Sequence, residues 1–221
     1  MNGKERHAAT GRRRKPRRRA ARVLAGALAV AAAAFAGTAA AQIEPAQGKL
    51  LVATPEIGDP SWAETVMLLL HYDENGALGI AINRPTWVTP QQVEPELGDV
   101  EGYGTVYRGG PIAPTQMIFL VRDPSLETLE ATPILDGVYA SGDLQALSQL
   151  APAAGPGRLR LYAGHAEWLA GQLEREIADG RWTVVNGSAD RIFSAEPERL
   201  WKELSSGGEE LLVRRVNPLR R

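Results

Sequence analysis

Val66-Met-Leu-Leu-Leu70, His71-Tyr-Asp-Glu-Asn-Gly76 and Leu78-Gly-Ile-Ala-Ile82, followed at once by Asn83-Arg84-Pro85, are the most informative residues of the chain. Each apolar run is five residues long and flanked by breakers, too short for an amphipathic helix, so each reads as a buried strand. Asn75-Gly76 tolerates positive φ in a tight turn and makes the two strands a hairpin. Pro85 drives Arg84 out of the helical region, so the chain must bend as the second strand ends.

The flanking sequence repeats this alternation of short strands and breakers. Leu50–Ala53 is a strand stopped by Pro55, and Gly58-Asp59-Pro60 is a loop. Thr89-Pro90-Gln91-Gln92 has an N-cap, a first-turn proline and a capping-box glutamine, hence a short helix. Gly102-Tyr103-Gly104 is a loop before a strand near Val106-Tyr107. Gly109-Gly110-Pro111 forces a turn before the strand Met117–Val121. A strand at Gly137–Tyr139, a helix from Asp143 to Leu150 and a loop from Pro152 to Gly157 follow. Arg158–Tyr162 alternates polar and apolar residues and reads as a half-exposed strand. Trp168–Asp179 reads as the best helix, with Leu169, Leu173 and Ile177 every four residues and Gly180 at its end. Trp182–Val185 and Arg191–Phe193 read as short strands, and Pro197–Leu204 as a last helix. Eight or so strands interleaved unevenly with three or four helices predict one α+β domain.

Composition divides the chain in two. Of 25 Lys+Arg, ten fall within the first 22 residues beside a single acid, Glu5. The uncharged run Val23–Gly37 and the small residues Ala39-Ala40-Ala41 follow, the layout of a secretory signal peptide cut before Gln42. The apolar run is short for a membrane span. Removing residues 1–41, with ten bases and one acid, leaves 15 bases against 25 acids, a formal charge of −10. Such a body repels phosphate backbones, and no nucleic acid is expected as its partner. The expected layout is a leader over 1–41, a signal peptide or alternatively an uncleaved anchor, that alone meets the membrane, a linker over 42–47, a domain over 48–205 and a basic tail over 206–221. With no Cys, disulfides, thiolate catalysis and thiolate metal sites are excluded.

Serine catalysis lacks a Gly-x-Ser-x-Gly elbow, and neither a Walker loop nor a dinucleotide fingerprint is present. Only His71 and His165 follow the leader, so no cofactor and no metal are expected. Asn83-Arg84-Pro85 and Gly109-Gly110-Pro111 end or interrupt strands, where backbone N–H groups and a guanidinium can hold a carboxylate or phosphate. Turn chemistry alone is the competing reading. His165, at a strand-to-helix bend, completes a candidate ligand surface of Asn83, Arg84, Gly109, Gly110 and His165. Trp168 is read as core rather than ligand platform. Asn186-Gly187-Ser188 matches a glycosylation acceptor with little specificity.

Gly48-Lys-Leu-Leu-Val-Ala-Thr-Pro55, Asp59-Pro60, His71–Gly79, Ile82-Asn-Arg-Pro85, Tyr107-Arg-Gly-Gly-Pro111 and Gly171-Gln-Leu-Glu-Arg-Glu-Ile177, in this order, resemble the bacterial YqgE/AlgH family from about Gly48 to Leu204. The resemblance implies a single α+β domain whose bent, bifurcated mixed sheet forms a pseudo-barrel with helices packed outside. It implies no established reaction; the AlgH name implies a proposed transcriptional regulator of alginate production. Where the family usually has Gly-Tyr-Ala-Gly-Trp-x-Pro-Gly-Gln-Leu, this chain reads Gly164-His-Ala-Glu-Trp-Leu-Ala-Gly-Gln-Leu173. Family members are generally cytosolic, and the leader is a second departure.

The reading that follows is an exported, non-enzymatic regulatory or interaction protein, periplasmic or secreted, whose partner is a protein or a small anionic ligand. Two alternatives stay open. One is a cytosolic regulator of the AlgH type; the other is a hydrolase or transferase on a small anion, with His165 as acid/base and Arg84 as clamp.

Overall fold

The computed structural model describes residues 43–93, 95, 104–122, 131–147 and 157–206. All lie in the second of the two units, Met1–Gln42 and Ile43–Arg221, into which the chain divides. The leader, its cut site, the Gly102-Tyr103 loop, most of the Pro152–Gly157 loop and the basic tail lie outside the described residues.

Among the described residues nine strands carry the fold: β1 (Lys49–Ala53), β2 (Val66–Asp73), β3 (Gly76–Ala81), β4 (Val106–Arg108), β5 (Ile112–Arg122), β6 (Thr132–Leu135), β7 (Val138–Ser141), β8 (Leu159–Leu169) and β9 (Trp182–Asn186). Short helices α1 (Pro90–Val93), α2 (Gln172–Ala178) and α3 (Ala189–Ile192) accompany them, and residues 144–147 and 200–206 are also helical. The sheet runs β6-β7-β5-β8-β3-β2-β1-β9, with β4 as a side branch on β8. Every pairing is antiparallel except β4 with β8, which makes the sheet mixed.

The branch is the bifurcation. β8 is eleven residues long; Leu161–Ala163 pair with β4 and Ala166–Leu169 with β3. β3 pairs with β8 only through Gly79, and the Ala81 N–H already turns to the Gly109 carbonyl (2.7 Å) ahead of the bend at Asn83. Beyond it the chain pairs with β4 instead, through the Pro85–Tyr107 bridge and the bonds Arg108 N–H to Arg84 C=O (2.9 Å) and Thr86 N–H to Val106 C=O (3.0 Å). The proline-imposed bend thus completes the transfer of one strand from one partner to another.

The two ends of the sheet curl toward each other. Gln47 donates from its side chain to the Pro133 carbonyl. A Cβ on Gly48 would sit 2.7 Å from the Ile134 carbonyl oxygen, so the end strand β6 reaches the start of β1. The result is a curled half-barrel. Leu50, Leu68, Ile80, Leu120 and Tyr162 fill its interior. Outside, Leu51, Met67, Leu69, Trp168 and Trp182 pack under Leu173 of α2, and Phe119, Leu159 and Leu161 pack with Leu147. Burial on both faces explains why β1 and β2 read as continuous apolar runs rather than alternating ones.

Four expectations need correction. Trp168 belongs to β8, and the helix begins only at Gln172; Leu169, counted into its apolar stripe, is 78% exposed. Gly171, with φ 70°, interrupts the pattern between strand and helix. Arg158–Tyr162 is not half-exposed, because Leu159 through Tyr162 are all buried. Arg160 can be buried because its guanidinium donates to the Ile192 carbonyl (2.8 Å) and the Ser194 carbonyl and stacks over Tyr107, 4.9 Å from the ring centre. Arg191–Phe193 is not a strand: Ser188 caps the Arg191 N–H and starts α3. The hairpin turn residues are Glu74 and Asn75, with Gly76 already paired to Asp73.

Candidate functional site

Three segments enclose a cavity of about 320 Å³: the loop with Asp59, Ser61 and Trp62, the bend with Ala81 and Arg84, and the segment Arg108, Gly110 and Pro111. The loop needs a special backbone. Glu64 has φ 56°, unfavourable for a residue with a side chain. Buried Asn83 stabilises it by donating to the Glu64 carbonyl (2.8 Å) and accepting from the Val66 N–H (2.9 Å). Arg84 adds two bonds from Nη2, to the Ala63 carbonyl (2.7 Å) and to Thr65 Oγ1 (2.5 Å). Asn83 and Arg84 are therefore the fasteners of the loop that forms one wall.

The opposite wall depends on glycine. After β4 the chain passes across the backbone of β8 to start β5. A Cβ on Gly110 would lie 2.2 Å from the His165 carbonyl carbon and oxygen, and one on Gly109 2.2 Å from the Gly164 oxygen. Gly164 reciprocates, with φ 72° and only 2.5 Å between its notional Cβ and the Gly110 oxygen. Gly109 is held by its N–H to Ala163 C=O (2.8 Å) and its C=O from Ala81 N–H (2.7 Å). The glycines serve a backbone crossing, and only Gly110 lines the cavity.

Of the five residues singled out from sequence, Arg84 and Gly110 meet at this cavity. Asn83 stands behind the loop with both ends of its amide engaged, and Gly109 lies just beyond β4, bonded to Ala163 and Ala81 but outside the cavity lining. His165 is 8% exposed, lies outside the cavity lining, and its Nε2 is 3.0 Å from Glu167 Oε1. That bond joins two of the positions that depart from the family pattern. The sequence reading passed over Arg108, Asp59, Ser61 and Trp62. Arg108 had a signal, since it precedes the paired glycines, but its proximity to Arg84 depends on the bend and could not be counted along the chain.

Electrostatically the cavity is cationic on one side. Burial, followed by the neighbouring charge of Arg108, pulls the pKa of Arg84 down, and Glu64 partly opposes this. Arg108 is exposed. Among the described residues, neither guanidinium forms an ion pair with a carboxylate, and Nε and Nη1 of Arg84 have no hydrogen-bond partner. Asp59 lies on the same cavity, its Oδ1 accepting from the Ser61 N–H (2.8 Å) and Oγ–H (2.7 Å). These two bonds lower its pKa against a small desolvation effect. Trp62 packs edge-on against Trp182, ring centres 6.4 Å apart, so its indole is braced by the sheet. No group of three or more His, Asp or Glu suited to a metal ion occurs among the described residues.

A second, mostly apolar cleft, about 470 Å³, lies across the same segment, lined by Val88, Val93, Val106, Pro114 and Ala163, with Arg108 and Gly110 at the boundary.

Residues 50–208 match the model of a family described as AlgH-like. The chain is 38% identical over 169 residues to a UPF0301 protein of Streptomyces coelicolor, covering 74% of this chain and 86% of that one. It is 37% identical over 156 residues to a UPF0301 protein of Myxococcus xanthus, covering 69% and 84%. The solution structure of the AlgH protein from Pseudomonas aeruginosa superposes with a TM-score of 0.61 at 29% identity, covering 77% of this chain and 92% of that one. A crystal structure of a protein from Corynebacterium diphtheriae shares the fold with a TM-score of 0.63 at 24% identity, over 74% and 87%. The curled mixed sheet, the ordered motifs and the matched span agree, and the chain belongs to the YqgE/AlgH family.

Proposed function

We propose that this protein is a non-enzymatic, exported binding domain that holds a small anion between Arg84 and Arg108. The observation that carries the reading is the convergence of two guanidiniums, from separate segments, on one cavity with no carboxylate paired to either among the described residues. In a body of formal charge −10, a local cationic pocket selects a small anion over a polyanion, which the surrounding field repels. Charge-assisted bonds from arginine to carboxylate or phosphate are among the stronger polar contacts available. The volume is at the small end of the roughly 300–1,000 Å³ typical of ligand sites, which favours a metabolite-sized molecule.

The hydrolase or transferase reading loses support because His165, its acid/base, does not line the cavity and its Nε2 lies against Glu167. Export rests on the basic and apolar leader. Calorimetric titration of the purified protein with inorganic phosphate and with acetate tests the binding. Saturable heat that weakens about tenfold or more in Arg108→Gln supports it, and the absence of saturation with either anion refutes it. Cell fractionation with N-terminal sequencing tests the export: Gln42 in the periplasm supports it, whereas Met1 retained in the cytosol favours the regulator reading.

A further inference from the structure

An acid lines the same cavity as the two arginines, and its placement is informative. Asp59 lines the cavity with Arg84 and Arg108 but pairs with neither. Asp59 and Arg108 are both exposed, so solvent screens their attraction and leaves each free to meet a ligand's charge. Arg84 and Asp59 each make bonds to the loop, whereas the Arg108 side chain makes none among the described residues. Arg84 is tied by Nη2 to Ala63 and Thr65, and Asp59 is tied by Oδ1 to Ser61, leaving Oδ2 without a partner among the described residues. The cavity therefore presents separated charges, cationic at the anchored Arg84 and the exposed Arg108 and anionic at Asp59, with the Trp62 indole as an apolar surface beside it.

From this juxtaposition we infer that the ligand is a zwitterion of the α-amino acid class, its carboxylate toward Arg84 and Arg108, its ammonium toward Asp59 Oδ2 and its side chain against Trp62. The inference rests on the anion-binding reading and narrows it. An ammonium group supplies the counter-charge that Asp59 otherwise lacks, and removes the repulsion Asp59 would exert on a plain anion. The bonds that hold Arg84 and Asp59 to the loop reduce the cost of ordering these two side chains on binding.

The test compares L-leucine with N-acetyl-L-leucine, which keeps the carboxylate and side chain but has no ammonium, in the wild-type protein, Asp59→Asn and Arg108→Gln. Asn retains an oxygen that can accept from Ser61, so Asp59→Asn removes the charge and keeps the turn; circular dichroism confirms that each variant is folded. The expected result is that wild type prefers leucine by tenfold or more, that Asp59→Asn abolishes this preference, and that Arg108→Gln weakens both ligands. Equal or tighter binding of the acetylated compound, or a preference that survives in Asp59→Asn, overturns the inference. Saturable acetate or phosphate binding without leucine binding also overturns it and leaves the anion reading standing; no saturation by any of the four ligands removes both.

Discussion

The backbone N–H of Arg108 donates to the carbonyl of Arg84 at 2.9 Å, so two residues 24 positions apart in sequence are direct neighbours across the fork in the sheet. Their cationic side chains share a cavity because the proline-directed bend moves the chain from β8 to β4 at this point. The roles of the two are unequal. Arg84 supports the loop and faces the cavity, whereas Arg108 makes no side-chain hydrogen bond among the described residues.

That inequality separates binding from stability. Arg108→Gln should weaken anion binding about tenfold or more, the loss of one charge-assisted bond of about 1.5–3 kcal/mol, with little change in Tm. Arg84→Gln should weaken binding and also lower stability by about 1–2 kcal/mol, since the Ala63 carbonyl and Thr65 hydroxyl lose their donor. Titration calorimetry and thermal unfolding on both variants check this contrast.

Asn83→Ala should cost about 2–3 kcal/mol in urea unfolding. It leaves the buried Val66 N–H without its acceptor and removes the donor holding Glu64 at positive φ. Glu64→Gly should recover part of the loss, because glycine adopts that backbone without strain.

The crossing of β8 makes Gly110→Ala severe, at about 3 kcal/mol or more and large enough to prevent folding, because the new methyl meets backbone atoms at 2.2 Å. Gly142→Ala is the control: its Cβ would meet only the Met117 oxygen at an ordinary 3.6 Å. Soluble yield and Tm of the two variants give the comparison.

Glu176 ties the aromatic layer beneath α2. Its Oε2 accepts from the indole N–H groups of Trp168 (3.0 Å) and Trp182 (2.8 Å), and its Oε1 accepts from Gln172 (3.0 Å). Burial raises its pKa, but the bonds from Gln172, Trp182 and Trp168 and the charge of Arg181 outweigh it, so the net value falls below the ordinary 4.5. A carboxyl depressed in the folded state contributes stability above its unfolded pKa and loses it as pH falls through the folded pKa. Glu176→Gln should therefore destabilise by about 1–3 kcal/mol at pH 7, and the gap to wild type should close as pH falls below about 4.5. Chemical denaturation followed by tryptophan fluorescence across this range reads it.

Short apolar runs with breakers made β1, β2 and β3 legible, and the capping box at Thr89–Gln92 is visible as the Thr89 N–H to Gln92 Oε1 bond (2.9 Å) that precedes α1. Trp168 was misplaced because Leu169, Leu173 and Ile177 happen to keep helical spacing across a strand, a glycine break and a helix. Arg160 looked solvent-exposed because its carbonyl partners, Ile192 and Ser194, are more than thirty residues away and invisible to local pattern. The candidate site was half legible for the same reason. Arg84 and Gly110 stand out locally as strand-end residues, while the contributions of Asp59, Trp62 and Arg108 exist only once the bend and the crossing are formed. The paired glycines were visible, but their use, bare backbone passing over bare backbone, is a tertiary fact.

The most direct test of the cationic cavity is NMR of the arginine side-chain Nε–H groups in the folded protein, assigned by Arg84→Lys and Arg108→Lys, during titration with acetate. The account predicts that the Arg84 and Arg108 signals move together and saturate with one Kd, while the buried Arg160 signal stays fixed. Signals of Arg84 and Arg108 that remain unmoved, or that drift linearly without saturation alongside surface arginines, would contradict it.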